Sequence, residues 1–195
     1  MKHWFVIILI SITGSFNLLG QKLSDTANYI TLEQALKIPP EEVIALDLSK
    51  SKLRQLPDTI EIFNNLERLK LTKNKLTELP DYLKTFKKLT YIHLNKNKFS
   101  VFPHQVFHLS NLKYIDISRN KIQAVPQGIK SLEKLVHLDV WSTRITSLPL
   151  ELRTLNSLRW LDVRGTTFSP SFVEEWTTSM PQTVIKFDRP CNCLE

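Results

Sequence analysis

Between residues 43 and 170 the apolar positions recur in a block of 23 that never slips. Copies begin at Val43, Leu66, Leu89, Leu112, Leu135 and Leu158, and the second, LERLKLTKNKLTELPDYLKTFKK, shows the pattern in full. Apolar residues at positions 4 and 6 of each copy alternate with mostly polar or aromatic ones at 3, 5 and 7, the period-2 signature of a short strand with one buried face. Position 9 holds Ser51, Asn74, Asn97, Asn120, Thr143 and Thr166, small polar side chains placed to hydrogen-bond the backbone of adjacent turns in a ladder. Pro57, Pro80, Pro103, Pro126 and Pro149 then stop the strand ladder and open a return segment, predicted as a short helix or 3₁₀ turn. One copy cannot bury its own apolar face, so the copies stack as parallel strands and both ends need caps.

Both caps are legible. Thr31 with Gln34 is a capping-box pattern that opens TLEQALK, with Leu32, Ala35, Leu36 and Ile38 expected to face the first repeat and Pro39 and Pro40 ending the helix. SPSFVEEWTTSM reads as an amphipathic helix with Phe172, Val173 and Trp176 inward, followed by a closing strand at residues 184–187. The expected organisation is a signal segment at 1–20, an N-terminal helical cap at 21–42, repeats at 43–170, and a C-terminal cap and tail at 171–195.

The motif L-x-x-L-x-L-x-x-N-x-L-x-x-L-P-x-x-I-x-x-L resembles that of leucine-rich repeat proteins. The resemblance implies an α/β right-handed solenoid, with parallel strands on the concave face and short helices or 3₁₀ turns on the convex face. It also implies a non-enzymatic module that binds a protein or peptide on the concave surface. Secreted eukaryotic members generally carry cysteine-rich caps, and their absence here points, by resemblance, to a bacterial protein.

Composition narrows the chemistry. The chain has only 4 Gly in 195 residues, and neither a nucleotide-binding glycine loop nor a G-x-S-x-G elbow can be written in it. Lys2 and His3 precede a stretch, residues 4–12, that is apolar apart from Ser11, and a more polar segment runs to Gly20. This is the layout of a secretory signal, too short for the roughly 20 apolar residues of a membrane span. The expectation is a secreted, periplasmic or cell-surface protein with no transmembrane segment after signal removal. Cys191 and Cys193, the only cysteines, lie too near the C-terminus to staple the fold. They read as free thiols, a local disulfide, an intermolecular bridge or a metal pair.

The strand positions define the candidate surface. Position 3 gives Ala45, Arg68, Tyr91, Tyr114, His137 and Trp160; position 5 gives Asp47, Lys70, His93, Asp116, Asp139 and Asp162; position 7 ends in Trp141 and Arg164. Tyr91, Tyr114, His137, Trp141 and Trp160 are the candidate anchors, because Tyr, Trp and Arg are enriched at binding hot spots. The alternative is that the rings stack on one another and stiffen the sheet. His93, Asp116, Asp139, Asp162 and Arg164 would set polarity, with the carboxylate column favouring a basic or hydroxyl-rich ligand.

Lys+Arg 26 against Asp+Glu 19 leaves a net charge of +7. Eight of those cations, Lys50, Lys52, Lys73, Lys75, Lys96, Lys98, Arg119 and Lys121, fall at positions 8 and 10 and line one edge. Such an edge either stays solvated or serves a surface adhesin or scaffold that holds an anionic polymer or glycan. Nucleic acid is disfavoured for an exported chain whose aromatics sit apart from this edge. His104–His108 imitates the H-E-x-x-H zinc helix, but Gln105 replaces the glutamate base. No catalytic, metal or cofactor residues are assigned.

Overall fold

The computed structural model describes residues 28–166 and 168–188. The signal segment, Cys191 and Cys193 lie outside these residues. The repeats supply strands β1 (Ala45–Asp47), β2 (Arg68–Lys70), β3 (Tyr91–His93), β4 (Tyr114–Asp116), β5 (His137–Asp139) and β6 (Trp160–Asp162). With β7 (Val184–Lys186) they form one parallel sheet in sequence order. The 23-residue period sets the register directly: Arg68 pairs with Tyr91, Tyr91 with Tyr114, Tyr114 with His137, and His137 with Trp160. Each return segment is a five-residue 3₁₀ turn entered from proline, as at Asp58–Ile62, Asp81–Thr85 and His104–His108. Proline's fixed φ, near −70° at these five sites, suits the turn's entry and withholds an N–H that has no partner there.

The core lies between the sheet and the turns. Leu69, Leu71, Leu76, Leu79, Leu83 and Phe86 of the second copy are at most 2% exposed, and the same positions repeat through the stack. Position 9 gives its ladder. Asn97 Nδ2 donates to the Leu71 and Leu94 carbonyls, each at 2.9 Å, while its Oδ1 accepts from the Leu76 N–H at 3.1 Å. Asn74 and Asn120 repeat the arrangement. Thr143 and Thr166 keep only one bond each, to the Val140 and Val163 carbonyls, because a hydroxyl donates a single proton.

The ends differ from each other. Helix α1 (Leu32–Ala35) has the complete capping box between Thr31 and Gln34. It is a single turn, however, and only Ala35 is buried in it; Leu36 and Ile38 are 54% and 37% exposed instead of facing the first repeat. The helix stops at Ala35 and the chain turns toward Pro39 before those two side chains can come round onto the core. Helix α2 (Pro170–Ser179), with Ser169 as N-cap, buries Trp176, and Phe172 stacks between Phe168 and Trp176 at 4.4 and 5.7 Å. No described helix is long and apolar enough to cross a membrane.

Candidate functional site

Alternation along each strand puts positions 3, 5 and 7 on the sheet face opposite the core, and parallel pairing brings equivalent side chains to about 4.8 Å from one another. The position-3 rings therefore stack. Tyr91 to Tyr114 is 5.6 Å between centroids with 22° between planes, Tyr114 to His137 is 4.4 Å and 14°, and His137 to Trp160 is 5.8 Å and 6°. Stacking covers the interior members, leaving Tyr114 2% and His137 1% exposed. Tyr91 and Trp160, at the two ends of the column, keep part of their surface, as do His93 and Trp141. Ring contacts fill the middle of the column, and its two ends keep part of their surface.

The carboxylate column is organised by the backbone. Asp47, Asp116, Asp139 and Asp162 each accept through Oδ1 the N–H two residues on, at 2.7, 3.1, 3.0 and 3.2 Å. This Asx-type closure ends the strand and turns the chain. Asp116, Asp139 and Asp162 are at most 7% exposed. Asp116 also accepts the Ser118 hydroxyl at 2.6 Å, and Asp162 is closed by Arg164 through Nε and Nη2 at 3.0 and 2.6 Å. That hydrogen bond, more than the surrounding carboxylate charge, raises the Arg164 pKa further. These oxygens serve the turn, so the expected appeal to a basic or hydroxyl-rich ligand does not follow from them.

Cations lie over the exposed rings. Arg68 sits 4.1 Å above Tyr91, Arg119 4.2 Å and Arg164 5.9 Å from Trp141, and Lys186 5.3 Å from Trp160. Lys70 lies 3.5 Å over Tyr29. Each pair places a positive group against the negative face of a ring. Tyr29 and Lys186 were not among the sequence candidates, because they fall outside the 23-residue phase: β6 pairs with β7 at an offset of 24. Arg68 was in phase, and its place beside Tyr91 in the position-3 column was the available signal.

At the sheet edge, position 8 adopts the left-handed backbone in every copy: φ is 61° at Lys50, 60° at Lys73, 58° at Lys96, 55° at Arg119, 55° at Ser142 and 81° at Gly165. Lys52 shares it at 56°. A Cβ on Gly165 would approach the Ser142 Cα and N within 2.8 and 2.9 Å, so glycine is required there for space as well as for φ. Lys75, Lys98 and Lys121 at position 10 are exposed along the same edge. Arg119 and Lys73 crowd Lys96 with like charge and lower its pKa. His104 and His108 stand exposed on the convex turn, and Gln105 between them is buried, donating to the Leu79 carbonyl at 2.6 Å. Among the described residues no cluster of three or more His, Cys, Asp or Glu could hold a metal.

A single open parallel sheet of three-residue strands, backed by 3₁₀ turns and threaded by an asparagine ladder, defines a leucine-rich repeat solenoid. Residues 87–145 match the family model described as leucine rich repeat, which agrees with the solenoid fold of the described residues. Among solved structures it is similar to internalin C2 of Listeria monocytogenes, with 19% identity and a TM-score of 0.65, over 75% of this chain and 62% of that one. A leucine-rich repeat protein of Leptospira interrogans matches at 23% identity and a TM-score of 0.37, over 75% and 55% of the two chains. The chain thus spans less than two thirds of either neighbour's length. No curated protein matches it by sequence. Leucine-rich repeat folds generally mediate protein–protein interaction, and their proteins are typically non-enzymatic.

Proposed function

We propose that this chain is a non-enzymatic interaction module of the secreted or envelope space, binding a protein or peptide partner on the concave face of its sheet. The observation that carries the reading is the set of partly exposed rings, Tyr91, Trp141 and Trp160, standing outside the core with cations over them. They are large, rigid, amphipathic surfaces of the kind that anchor interfaces. His93 and Arg164 supply the polar contacts between these anchors, while Tyr114 and His137 hold them in position. Export is supported by the basic head and apolar stretch of residues 2–12; N-terminal sequencing of the mature protein tests it and should begin near Gln21.

The binding test is a crosslinking capture from native envelope and medium, comparing wild type with a Tyr91→Ala/Trp141→Ala/Trp160→Ala variant of matched thermal stability. A partner held by the wild type should be weakened by about 2 kcal/mol or more per hot-spot ring removed. Equal capture by both would place the partner elsewhere on the molecule.

A further inference from the structure

On the concave face the carboxylates of Asp116, Asp139 and Asp162 are covered and the cations stand outward. Asp116 and Asp139 are nearly covered and hold the N–H groups of their own turns. Their charge still tempers the local potential, but a ligand group has almost no access to their oxygens. The cations stand outward. Lys73 and Arg119 are exposed, Lys96 is partly so, and among the described residues no carboxylate forms an ion pair with any of the three. From the second copy through the fifth, positions 3, 5, 7 and 8 present Arg68, Lys70, Lys73, Lys96 and Arg119 at least partly to solvent, and no carboxylate with more than 7% of its surface exposed.

The fold itself does not ask for these cations. Position 8 lies at positive φ, a region costly for any residue with a Cβ, and the last two copies fill it with Ser142 and Gly165. Four long basic residues in succession there, Lys50, Lys73, Lys96 and Arg119, add mutual repulsion, which the lowered Lys96 pKa registers. The turn accounts for the positive φ in every copy, but it does not account for a charged side chain there. The row also runs into the rings, since Arg119 rests on Trp141, and Arg68 of the position-3 column rests on Tyr91. A ligand that follows the cations therefore meets aromatic faces that favour apolar side chains, which a bare polyanion lacks.

Resting on the protein-binding reading above, we infer that the segment recognised by this face is acidic, with carboxylates set along Lys73, Lys96 and Arg119 and interspersed apolar side chains on Tyr91 and Trp141. The probes are three synthetic peptides of equal length and aromatic content, carrying Glu, Gln or Lys at alternate positions, and a sulfated polysaccharide. They are titrated against wild type, a Lys73→Asn/Lys96→Asn/Arg119→Asn variant and a Trp141→Ala variant. Asparagine tolerates the left-handed backbone, so the triple change removes charge while keeping the turn; Lys130→Asn on the convex side controls for net charge. The Glu peptide should bind about tenfold tighter than the Gln peptide, lose that margin in the triple variant and in high salt, and weaken in Trp141→Ala.

Equal binding of the Glu and Gln peptides, or preference for Lys, overturns the inference. So does polysaccharide binding that survives Trp141→Ala while the Glu peptide fails to bind, which assigns the row to a polymer. The protein-binding reading is judged separately by the captured partner. A partner lost in the ring variant but retained in the triple asparagine variant sinks the acidic segment and leaves that reading standing.

Discussion

Lys96 shows how much a single position can carry against its own preferences. Its φ of 58° costs a residue with a Cβ about 1 kcal/mol, and its charge stands between Lys73 and Arg119. Because the folded chain holds the Lys96 proton less tightly than the unfolded chain, the electrostatic penalty is fully present below the depressed pKa. It disappears as pH rises past the ordinary value of 10.5. Lys96→Asn is therefore expected to raise stability at neutral pH, with the difference narrowing in high salt or at alkaline pH; urea unfolding at two salt concentrations reads it. Gly165→Ala runs the other way, since its Cβ would meet Ser142 and its φ is 81°. A loss of about 1–3 kcal/mol in the same assay is expected, and an unchanged midpoint would show that the last turn is loose. Such details were partly legible from residues alone. The position-5 aspartates could be assigned to a face by alternation, but alternation does not say whether the chain's own N–H groups already hold an oxygen. The signal that could have said so is the turn two residues later, where an Asp side chain commonly closes an Asx turn.

Among the elements, the asparagine ladder adds side-chain bonds between neighbouring copies to the pairing of the three-residue strands. Asn97 bonds three backbone groups belonging to two copies, and all of them lie where water does not replace a lost partner. Asn97→Ala should cost about 3 kcal/mol, the sum of lost bonds and the desolvated groups left behind. Asn97→Thr should cost less, because Thr143 and Thr166 already occupy this position with one bond apiece. Calorimetry on the two variants orders them, and an alanine variant no less stable than the threonine one would remove the ladder from the account. The ladder, the strands and the proline-started turns were all legible, since each follows from a fixed offset inside a period of 23. The N-terminal helix was legible in its start but not its length: the capping box formed, while Leu36 and Ile38, assigned inward by helical period, fall beyond a helix that ends at Ala35. Helical period gives a face only for as long as the helix lasts, and two consecutive prolines curtail it.

For the whole molecule, a stack in which each copy touches only its neighbours is held together from its ends inward. The C-terminal end is closed by Trp176, 2% exposed, with Phe172 stacked on it and the Arg153 guanidinium 4.5 Å over its ring. Arg153 also pairs with Glu175, so one side chain of the fifth copy ties that copy to helix α2 by ring and by charge. Trp176→Ala should therefore cost about 3–5 kcal/mol, but not uniformly along the chain. Losing the cap exposes the sixth copy first, and backbone amides of β6 and β7 should lose hydrogen-exchange protection while those of β2 and β3 keep theirs. Trp160 lies on β6 and Arg164 just beyond it, so the same opening would disturb that end of the proposed binding surface without touching Tyr91. Uniform loss of protection from β1 to β7 would mean that the solenoid unfolds as one unit, and that its concave face is rigid along its full length.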